Sequence, residues 1–352
     1  MKALPTQNNR GVALVVTLAI IAVALTVALE INRQARSDAT AASVSLQRFT
    51  LSQMAASGIH LAMALLVRDR LTSTVDSVQE TWAGSLTSYL ADFPLRAGRL
   101  EVGIADERAK IQVNALVRYP EGRQVNPAQY RIWIRFAQQL ANTDTLPNPV
   151  DPVGIVNSLI DWLDRGDSDM VTALTGAESD YYLSLDPPYR CRNGPIAHLG
   201  ELALIKGMSR ELLEAAGGVE GISRYLTVYG TSPTGVTFDG RINLNTADVP
   251  VLAAILPESH SHLARAMADY RAALADTNYL HSLNADDWYR RVPGAEDLSI
   301  DSALTTLASD TFKIVATAFV NERRLSVAAV VRREKDPESE QWKCRVLQWE
   351  EE

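Results

Sequence analysis

The amino-acid sequence predicts an α+β fold. A long N-terminal helix, whose first half spans a membrane, packs on an antiparallel sheet that a large all-α insertion interrupts. Three observations predict this fold. An uncharged apolar run opens the chain, apolar and polar residues alternate over residues 99–114 and over the last fifty positions, and helical periodicity fills the chain between them. Two groups of strands separated by helices combine most simply into one sheet with an inserted helical domain.

The first element is an apolar helix near the N-terminus. Residues 11–29 form nineteen positions without a charge, with Thr17 and Thr26 as polar interruptions. As a helix this stretch is about 28 Å long, close to the hydrocarbon thickness of a bilayer. Lys2 and Arg10 precede it, so the positive-inside rule places the N-terminus in the cytoplasm and the rest of the chain on the other side.

The helical pattern continues beyond the apolar run. From residue 30 to residue 70 the chain has no proline and a single glycine, and it is rich in residues that favour helices. An apolar stripe recurs there at steps of three and four residues, formed by Leu51, Met54, Gly58, Leu61 and Leu65. The sequence therefore predicts one continuous helix of nearly sixty residues, half in lipid and half packed on a soluble domain.

The sheet is predicted from two distant parts of the chain. Residues 99–114 alternate on both sides of a turn at 106–108, which predicts a hairpin. Near the C-terminus three strand patterns separated by short polar turns predict an antiparallel meander: TFKIVATAFV, RLSVAAVVRR and WKCRVLQWEE. The two groups are expected to complete one sheet, packed on the outer half of the N-terminal helix.

Helical patterns dominate the chain between the two groups of strands. Asn126-Pro127 and Asp151-Pro152 each combine an N-cap residue with a proline at the first helical position, and Leu263 begins a third apolar stripe. We interpret these stripes as the core of SAM-like or helix-hairpin-helix-like repeats.

The elements together divide the chain into three parts. Residues 12–30 form a transmembrane helix, residues 31–114 and 309–352 form a discontinuous α/β domain, and residues 115–308 form the inserted helical domain.

Composition limits the classes of function. The formal net charge is −8, which disfavours non-specific nucleic-acid binding because that binding depends on neutralising phosphates. Cys191 and Cys344 form no CxxC pair or Cys/His cluster, so a zinc site is not expected. We interpret them as two semi-buried thiols, with a disulfide outside the cytoplasm as the alternative. No nucleophile elbow, phosphate loop, HExxH or dinucleotide fingerprint occurs, so no enzyme activity is expected.

The N-terminus resembles that of a type IV pilin or a type II secretion pseudopilin, because a short basic leader ending in glycine is followed directly by an apolar helix. In such proteins a prepilin peptidase cuts after the glycine. The resemblance implies a leader at residues 1–11, cleavage between Gly11 and Val12, and N-methylation of Val12. Most members carry a glutamate at the fifth mature position, where this chain has Val16. A carboxylate there would pair with the N-terminal amine of a neighbour, so its absence suits a subunit at a filament tip.

Three segments resemble the K-type minor pseudopilin of type II secretion in a consistent order along the chain. They are ADERAKIQVNAL, the stretch from SLIDWLDRGD to LIKGMS, and INLNTADVPVLAAIL. The resemblance implies a tip subunit that initiates pseudopilus assembly and supports export of folded proteins across the outer membrane. It also implies an inner-membrane protein with a periplasmic bulk. The implied partners are the minor pseudopilins of types I and J, the major pseudopilin and prepilin peptidase.

An acidic stretch follows the second predicted helix. Six acids lie between residues 161 and 180, with Arg165 as the only base among them. This density favours a cation with oxygen ligands, in a spacing unlike that of an EF-hand, and a solvated acidic loop is the alternative. Because the resembled family's helical domain is associated with calcium, we expect a structural Ca²⁺ here. The candidate ligands, in order of preference, are Asp167, Asp169, Glu178 and Asp180, then Asp161 and Asp164.

The alternative function is a membrane-anchored DNA-binding protein of DNA uptake. Residues 242–271 also resemble a helix-hairpin-helix module, which holds phosphates with backbone N–H groups of a glycine-rich hairpin. Here the hairpin would be residues 257–261, which contain no glycine and include Glu258. The sequence therefore favours a repeat kept for packing or partner contacts, and no nucleic-acid partner is expected.

Overall fold

The structure is a computed structural model that describes residues 10–84, 98–141, 150–166, 172, 175–232 and 235–351. Its first element is α1 (Arg10–Thr72), a single helix of 63 residues. The predicted continuous N-terminal helix is therefore confirmed.

A four-stranded antiparallel sheet packs against the C-terminal half of α1. Its strands are β1 (Arg99–Asp106), β10 (Thr311–Val320), β11 (Arg323–Lys335) and β12 (Trp342–Glu351), in that order across the sheet. The predicted C-terminal meander is confirmed, since β10 pairs with β11 and β11 pairs with β12. The α+β architecture is confirmed with it.

Helices are the main regular elements among the described residues between β1 and β10. These helices are α2 (Pro127–Ala141), α3 (Pro152–Leu163), α4 (Ser179–Leu183), α5 (Arg210–Ala215), α6 (Gly218–Ile222), α7 (Val249–Ile255) and α8 (Leu263–Ala272). The two-residue strands in this part of the chain are β2 (Ile111–Gln112), β3 (Val117–Arg118), β4 (Gln124–Val125), β5 (Leu226–Thr227), β6 (Ile242–Asn243), β7 (Leu274–Ala275), β8 (Asn278–Tyr279) and β9 (Thr305–Thr306). The three predicted helix starts, at Pro127, Pro152 and Leu263, are confirmed.

The predicted hairpin over residues 99–114 is wrong. β1 pairs with β10, and β2 pairs in parallel with β5. After Asp106 the chain makes a 3₁₀ turn at 107–109 and leaves the sheet. The alternation in the second half of this segment reflects burial of Ile111 and Val113 among the inserted helices, not pairing with β1.

α1 lies across the sheet through a stripe of small and apolar residues. The buried residues of this stripe are Leu51, Ala55, Gly58, Ile59, Ala62 and Leu66. The sequence pattern predicts Met54, Leu61 and Leu65 within the buried stripe. In the structure they are partly buried and flank the contact between α1 and the sheet. Nearly every position on this side of the helix is apolar, so periodicity alone does not fix the centre of the stripe.

Buried apolar side chains form two separate cores. One lies between α1 and the sheet and includes Trp82 and Phe312, and the other lies within the inserted helices and includes Trp133 and Trp288. We call α1 from Leu51 onward, with β1, β10, β11 and β12, the sheet body. We call residues 111–307 the helical body.

The two cysteines lie in different bodies. Cys191 is buried in the helical core, where its Sγ lies 3.4 Å from the carbonyl oxygen of Asp161. Cys344 packs against the core of the sheet body. They are not joined by a disulfide.

Candidate functional site

The N-terminal half of α1 is an exposed apolar rod. From Val12 to Ile31 its large apolar side chains are 50–66% exposed. Within the described residues α1 is the one helix that is long and apolar enough to cross a membrane, with a mean hydropathy of 2.9 over its most apolar 18-residue window. So large a contiguous apolar surface marks a site of membrane or protein contact. α1 is therefore compatible with a single-pass membrane anchor.

The predicted processing site lies in the first turn of α1. Val12 is 64% exposed, and a Cβ placed on Gly11 would have no atom within 4 Å. Among the residues that the structure describes, none outside this helix covers the peptide bond between Gly11 and Val12. Residues 1–9 of the predicted leader lie outside the described part of the chain, and cleavage and methylation stay predictions. Val16 lies within the apolar run and is 50% exposed.

Three acids of the predicted metal site meet at the C-terminal end of α3. Asp161, Asp164 and Glu178 each offer a carboxylate oxygen, and these oxygens lie within 4.8 Å of one another. Calcium bonds oxygen at about 2.3–2.6 Å, so ligands of one ion lie up to about 5 Å apart. The group therefore has the size of a shared calcium site and would supply three of its oxygen ligands.

The backbone also shapes this group. Asp161 is buried at the end of α3, and its carboxylate accepts hydrogen bonds from the N–H of Thr172 at 3.1 Å and of Ala177 at 2.8 Å. These bonds hold Thr172 and Ala177 against α3. Glu178 is the N-cap residue of α4.

Burial raises the pKa of both aspartates in the group. The pKa of Asp161 rises because burial outweighs the donors of Thr172 and Ala177. The pKa of Asp164 rises to about 6, through burial first and through the nearby Asp161 carboxylate. Packing carboxylates this closely costs free energy that a bound cation would offset.

The remaining predicted ligands divide into two cases. Asp167 and Asp169 lie outside the described residues. Asp180 is exposed on α4 and does not belong to the group. Asp161 and Asp164, which the sequence ranked last, are the acids that the structure brings to Glu178.

Sequence reasoning missed a second carboxylate group, formed by Asp69, Asp76 and Glu80. This group already holds a cation of the chain, because Arg333 contacts Asp69 at 3.3 Å and Asp76 at 2.6 Å. No local pattern signals it, since the arginine comes from β11, Asp69 lies in the last turn of α1, and Asp76 and Glu80 follow that helix.

Comparisons with known proteins agree along the chain. A family model described as "Type II secretion system (T2SS), protein K" matches residues 109–228. The type II secretion system protein K of Pseudomonas aeruginosa is 27% identical over 343 residues, which cover 94% of this chain and 90% of the relative. These matches support the resemblance to the type II secretion minor pseudopilin K. The protein K of Pectobacterium carotovorum subsp. carotovorum is also 27% identical, over 75% of this chain and 76% of that relative.

The fold agrees with a solved structure of this family. A chain in the crystal structure of the GspK–GspI–GspJ complex from the enterotoxigenic Escherichia coli Type 2 Secretion System superposes with a TM-score of 0.60 at 20% identity. The match covers 88% of this chain and 99% of that one. The resemblance to a K-type minor pseudopilin, first made from sequence motifs, is thus confirmed.

Proposed function

We propose that this chain is a minor pseudopilin at the tip of the type II secretion pseudopilus. There it would initiate assembly and support export of folded proteins across the outer membrane. The observation that carries the proposal is α1, an uninterrupted helix whose first half is exposed and apolar and whose second half lies in the core of the sheet body. Such a helix can leave lipid for a bundle of similar helices without unfolding the globular part.

The N-terminus sets the orientation and the order of events. Lys2 and Arg10 hold the leader in the cytoplasm, so the chain spans the inner membrane once and its bulk is periplasmic. Prepilin peptidase then cuts between Gly11 and Val12, and Val12 is methylated. Val16 offers no carboxylate to the amine of a subunit ahead, which suits a position with no subunit ahead.

The proposed partners are membrane-anchored subunits. The similar solved chain belongs to a complex with GspI and GspJ, so we infer that minor pseudopilins of types I and J bind this chain. We also infer that the major pseudopilin forms the filament beneath these tip subunits. The proposed role is mechanical and associative, without catalysis.

A bound calcium ion would have a structural role in the helical body. Asp161, Asp164 and Glu178 would hold it, and its charge would relieve the repulsion among them. Because Asp161 also accepts from the N–H groups of Thr172 and Ala177, the ion would fix these two residues on α3.

Processing is tested by expressing the full chain with and without prepilin peptidase and sequencing its N-terminus. We expect a mature chain that starts at Val12, and an uncut chain when Gly11 is replaced in Gly11→Leu. Gly103→Leu, a glycine replacement outside the leader where a Cβ meets no atom within 4 Å, is the control and should still be cut. A wild-type chain that keeps Met1 in the presence of active peptidase would favour a plain signal anchor.

Partner binding is tested by co-purifying the full chain with the type I and type J minor pseudopilins in detergent. We expect both to be retained. The control replaces residues 12–30 with a polyleucine span of equal length, which keeps the anchor but changes its surface. Absence of both partners from the wild-type preparation would contradict the proposal.

Calcium binding is tested by calorimetry and by the melting temperature of the chelated protein. A ligand at a hundred times its Kd stabilises the folded state by about 2.7 kcal/mol. We expect this stabilisation in the wild type and in Glu322→Gln, an exposed acid elsewhere, and we expect its loss in Asp164→Asn and Glu178→Gln. A wild-type protein that gives no heat and no change in melting temperature would remove the metal.

The DNA-binding alternative gains no support from the turn between α7 and α8. Glu258 begins a 3₁₀ turn there and is exposed, where it would repel a phosphate. Tight, salt-sensitive binding of duplex DNA by the full chain would restore that alternative.

A further inference from the structure

Two stretches of chain join the helical body to the sheet body, and they lie side by side. One leaves the sheet at Asp106, and the other enters it at Thr311. Since β1 and β10 are neighbours, with Asp106 opposite Phe312, both connections stand at one end of the same strand pair. Clefts of about 260 and 520 Å³, lined by both bodies, lie beside them. A body held at adjacent connections next to open space has the geometry of a hinge.

Buried hydrogen bonds close this hinge, and Asp106 is their centre. Its Oδ2 accepts hydrogen bonds from Asn243 Nδ2 at 2.9 Å and from Thr246 Oγ1 at 2.6 Å, both in the helical body. The same oxygen accepts from Ser309 Oγ at 2.6 Å, in the second connection. The N–H of Arg108 donates to Oδ1 at 2.7 Å. A single buried carboxylate thus joins both connections to the helical body.

Asp76 and Arg333 extend these contacts to α1. The carboxylate of Asp76 is fully buried and accepts from Arg333 Nη2 at 2.6 and 2.8 Å. Arg333 Nη1 donates to the carbonyl of Leu66 in α1 at 3.0 Å. The carbonyl of Asp76 accepts from Asn243 Nδ2 at 3.0 Å, and that amide also binds Asp106. An unbroken series of buried hydrogen bonds therefore runs from α1 to the helical body.

A second ion network braces the connections. The guanidinium of Arg108 lies between Asp239 of the helical body, at 2.6 Å, and Asp310 of the second connection, at 3.0 Å. Arg332 of β11 donates to the carbonyl of Thr231 in the helical body. The side chains of Arg108 and Arg332 are 11% and 8% exposed. Opening the hinge would separate charges that water reaches poorly, which is costly.

We propose that the connections form a rigid coupling, in which the buried Asp76, Asp106 and Arg333 fix the helical body to α1. Any displacement of α1 along its axis is then transmitted to the helical body without tilt. This rigidity follows from the contacts whether or not the chain stands at a filament tip. If the proposed function holds, the coupling transmits the movement of the stacked N-terminal helices along the filament to the helical body of this subunit.

Electron–electron double resonance on the full chain in detergent micelles tests the coupling. Spin labels are placed at Arg68→Cys on α1 and Arg265→Cys on α8, both exposed positions, in a background with Cys191→Ala and Cys344→Ala. We expect one narrow distance distribution. Asp106→Asn replaces an acceptor oxygen with an amide donor that faces Nδ2 of Asn243. We expect the distribution of distances between the two labels to become at least twice as wide. Proteolysis within 106–111 or 305–311 should become about a hundredfold faster.

Leu213→Ala is the matched control for stability. Leu213 is buried in the helical core and makes none of the bonds of the coupling, so the cavity should lower the melting temperature while the distribution stays narrow. Thr246→Val removes one donor without burying a new charge, and it should broaden the distribution if Asp106→Asn does not fold. Three results would overturn the proposal. The first is a broad distance distribution in the wild type, and the second is an unchanged width in folded Asp106→Asn or Thr246→Val. The third is a broadening in Leu213→Ala equal to that in these two variants.

Discussion

Replacing Gly58 with alanine tests how closely α1 approaches the sheet. Gly58 lies in the middle of the buried stripe, where the helix faces β1 and β10. A Cβ at this position would lie 2.9 Å from Val102 Cγ2, 3.1 Å from Ala316 Cβ and 3.2 Å from Leu100 Cδ2. The new methyl group would therefore meet three side chains at less than normal contact distance.

Two opposing effects set the size of the change. Alanine gains about 1 kcal/mol over glycine within a helix. Overpacking a core typically costs about 1–3 kcal/mol. Leu100 can rotate its terminal methyl, but Ala316 Cβ is fixed to the backbone of β10, so part of the clash needs a shift of the strand. We expect Gly58→Ala to lower the free energy of unfolding by about 1 kcal/mol, and Gly58→Leu by about 3 kcal/mol or more.

Urea denaturation of the full chain in detergent, with thermal melts in parallel, measures the change. For a chain of 352 residues, a loss of 1 kcal/mol shifts the melting temperature by about 1–2 °C. Val102→Ala removes the nearest clash, so the double variant with Gly58→Ala should lose about 1 kcal/mol less than the sum of the two single losses. If Gly58→Ala is instead stabilised by about 1 kcal/mol, as helix propensity alone predicts, the close approach of α1 to the sheet is wrong.

Burial raises the pKa of the Cys344 thiol to about 11. At pH 8 iodoacetamide should therefore alkylate Cys344 about a hundredfold more slowly than a free cysteine. Equal alkylation rates, measured by mass spectrometry, would contradict the burial of this thiol. Burial also raises the pKa of Asp69 to about 6. The folded state then binds its proton more tightly than the unfolded state, so Asp69 should raise the free energy of unfolding by about 1–2 kcal/mol as pH falls from 7 to 5. Asp69→Asn should reduce the total rise by that amount, and an unchanged rise would contradict the raised pKa of Asp69. Asp151 caps α3 by accepting from the N–H of Val153 at 3.1 Å, so urea melts should show a loss of about 1 kcal/mol in Asp151→Ala and little loss in Asp151→Ser; equal losses would exclude the cap.

The sequence could predict the elements whose signals are local. α1 follows from a long stretch without proline, and the meander follows from strands joined by short turns. Between β10 and β11 the turn is Asn321-Glu322, and Asn321 adopts a φ of +54° that asparagine tolerates well. These features need no knowledge of distant residues.

The predictions that failed have one physical cause. A hydrophobic pattern indicates that a residue is buried, but it does not indicate which element the residue packs against. Alternation in residues 99–114 was correct as a sign of burial, yet β1 and β2 face different cores. The same limit applies to the candidate metal site, because Asp161 and Glu178 are distant in sequence and no local pattern indicates that their carboxylates meet. Asp106 was interpreted as a turn residue, and it does accept from the N–H of Arg108. Its bonds to Asn243 and Thr246 depend on the path of the whole insertion.

The ends of β1 and β10 carry a consequence for how such a chain could be built. Asp106 and Thr311 stand next to each other at one edge of an antiparallel pair, where a turn of two or three residues would be enough to join them. Replacing the insertion with such a turn would leave a small antiparallel sheet packed on α1, in which every strand keeps its neighbours. The insertion thus occupies a site where chains tolerate large additions, and its presence leaves the pairing of the four strands unchanged.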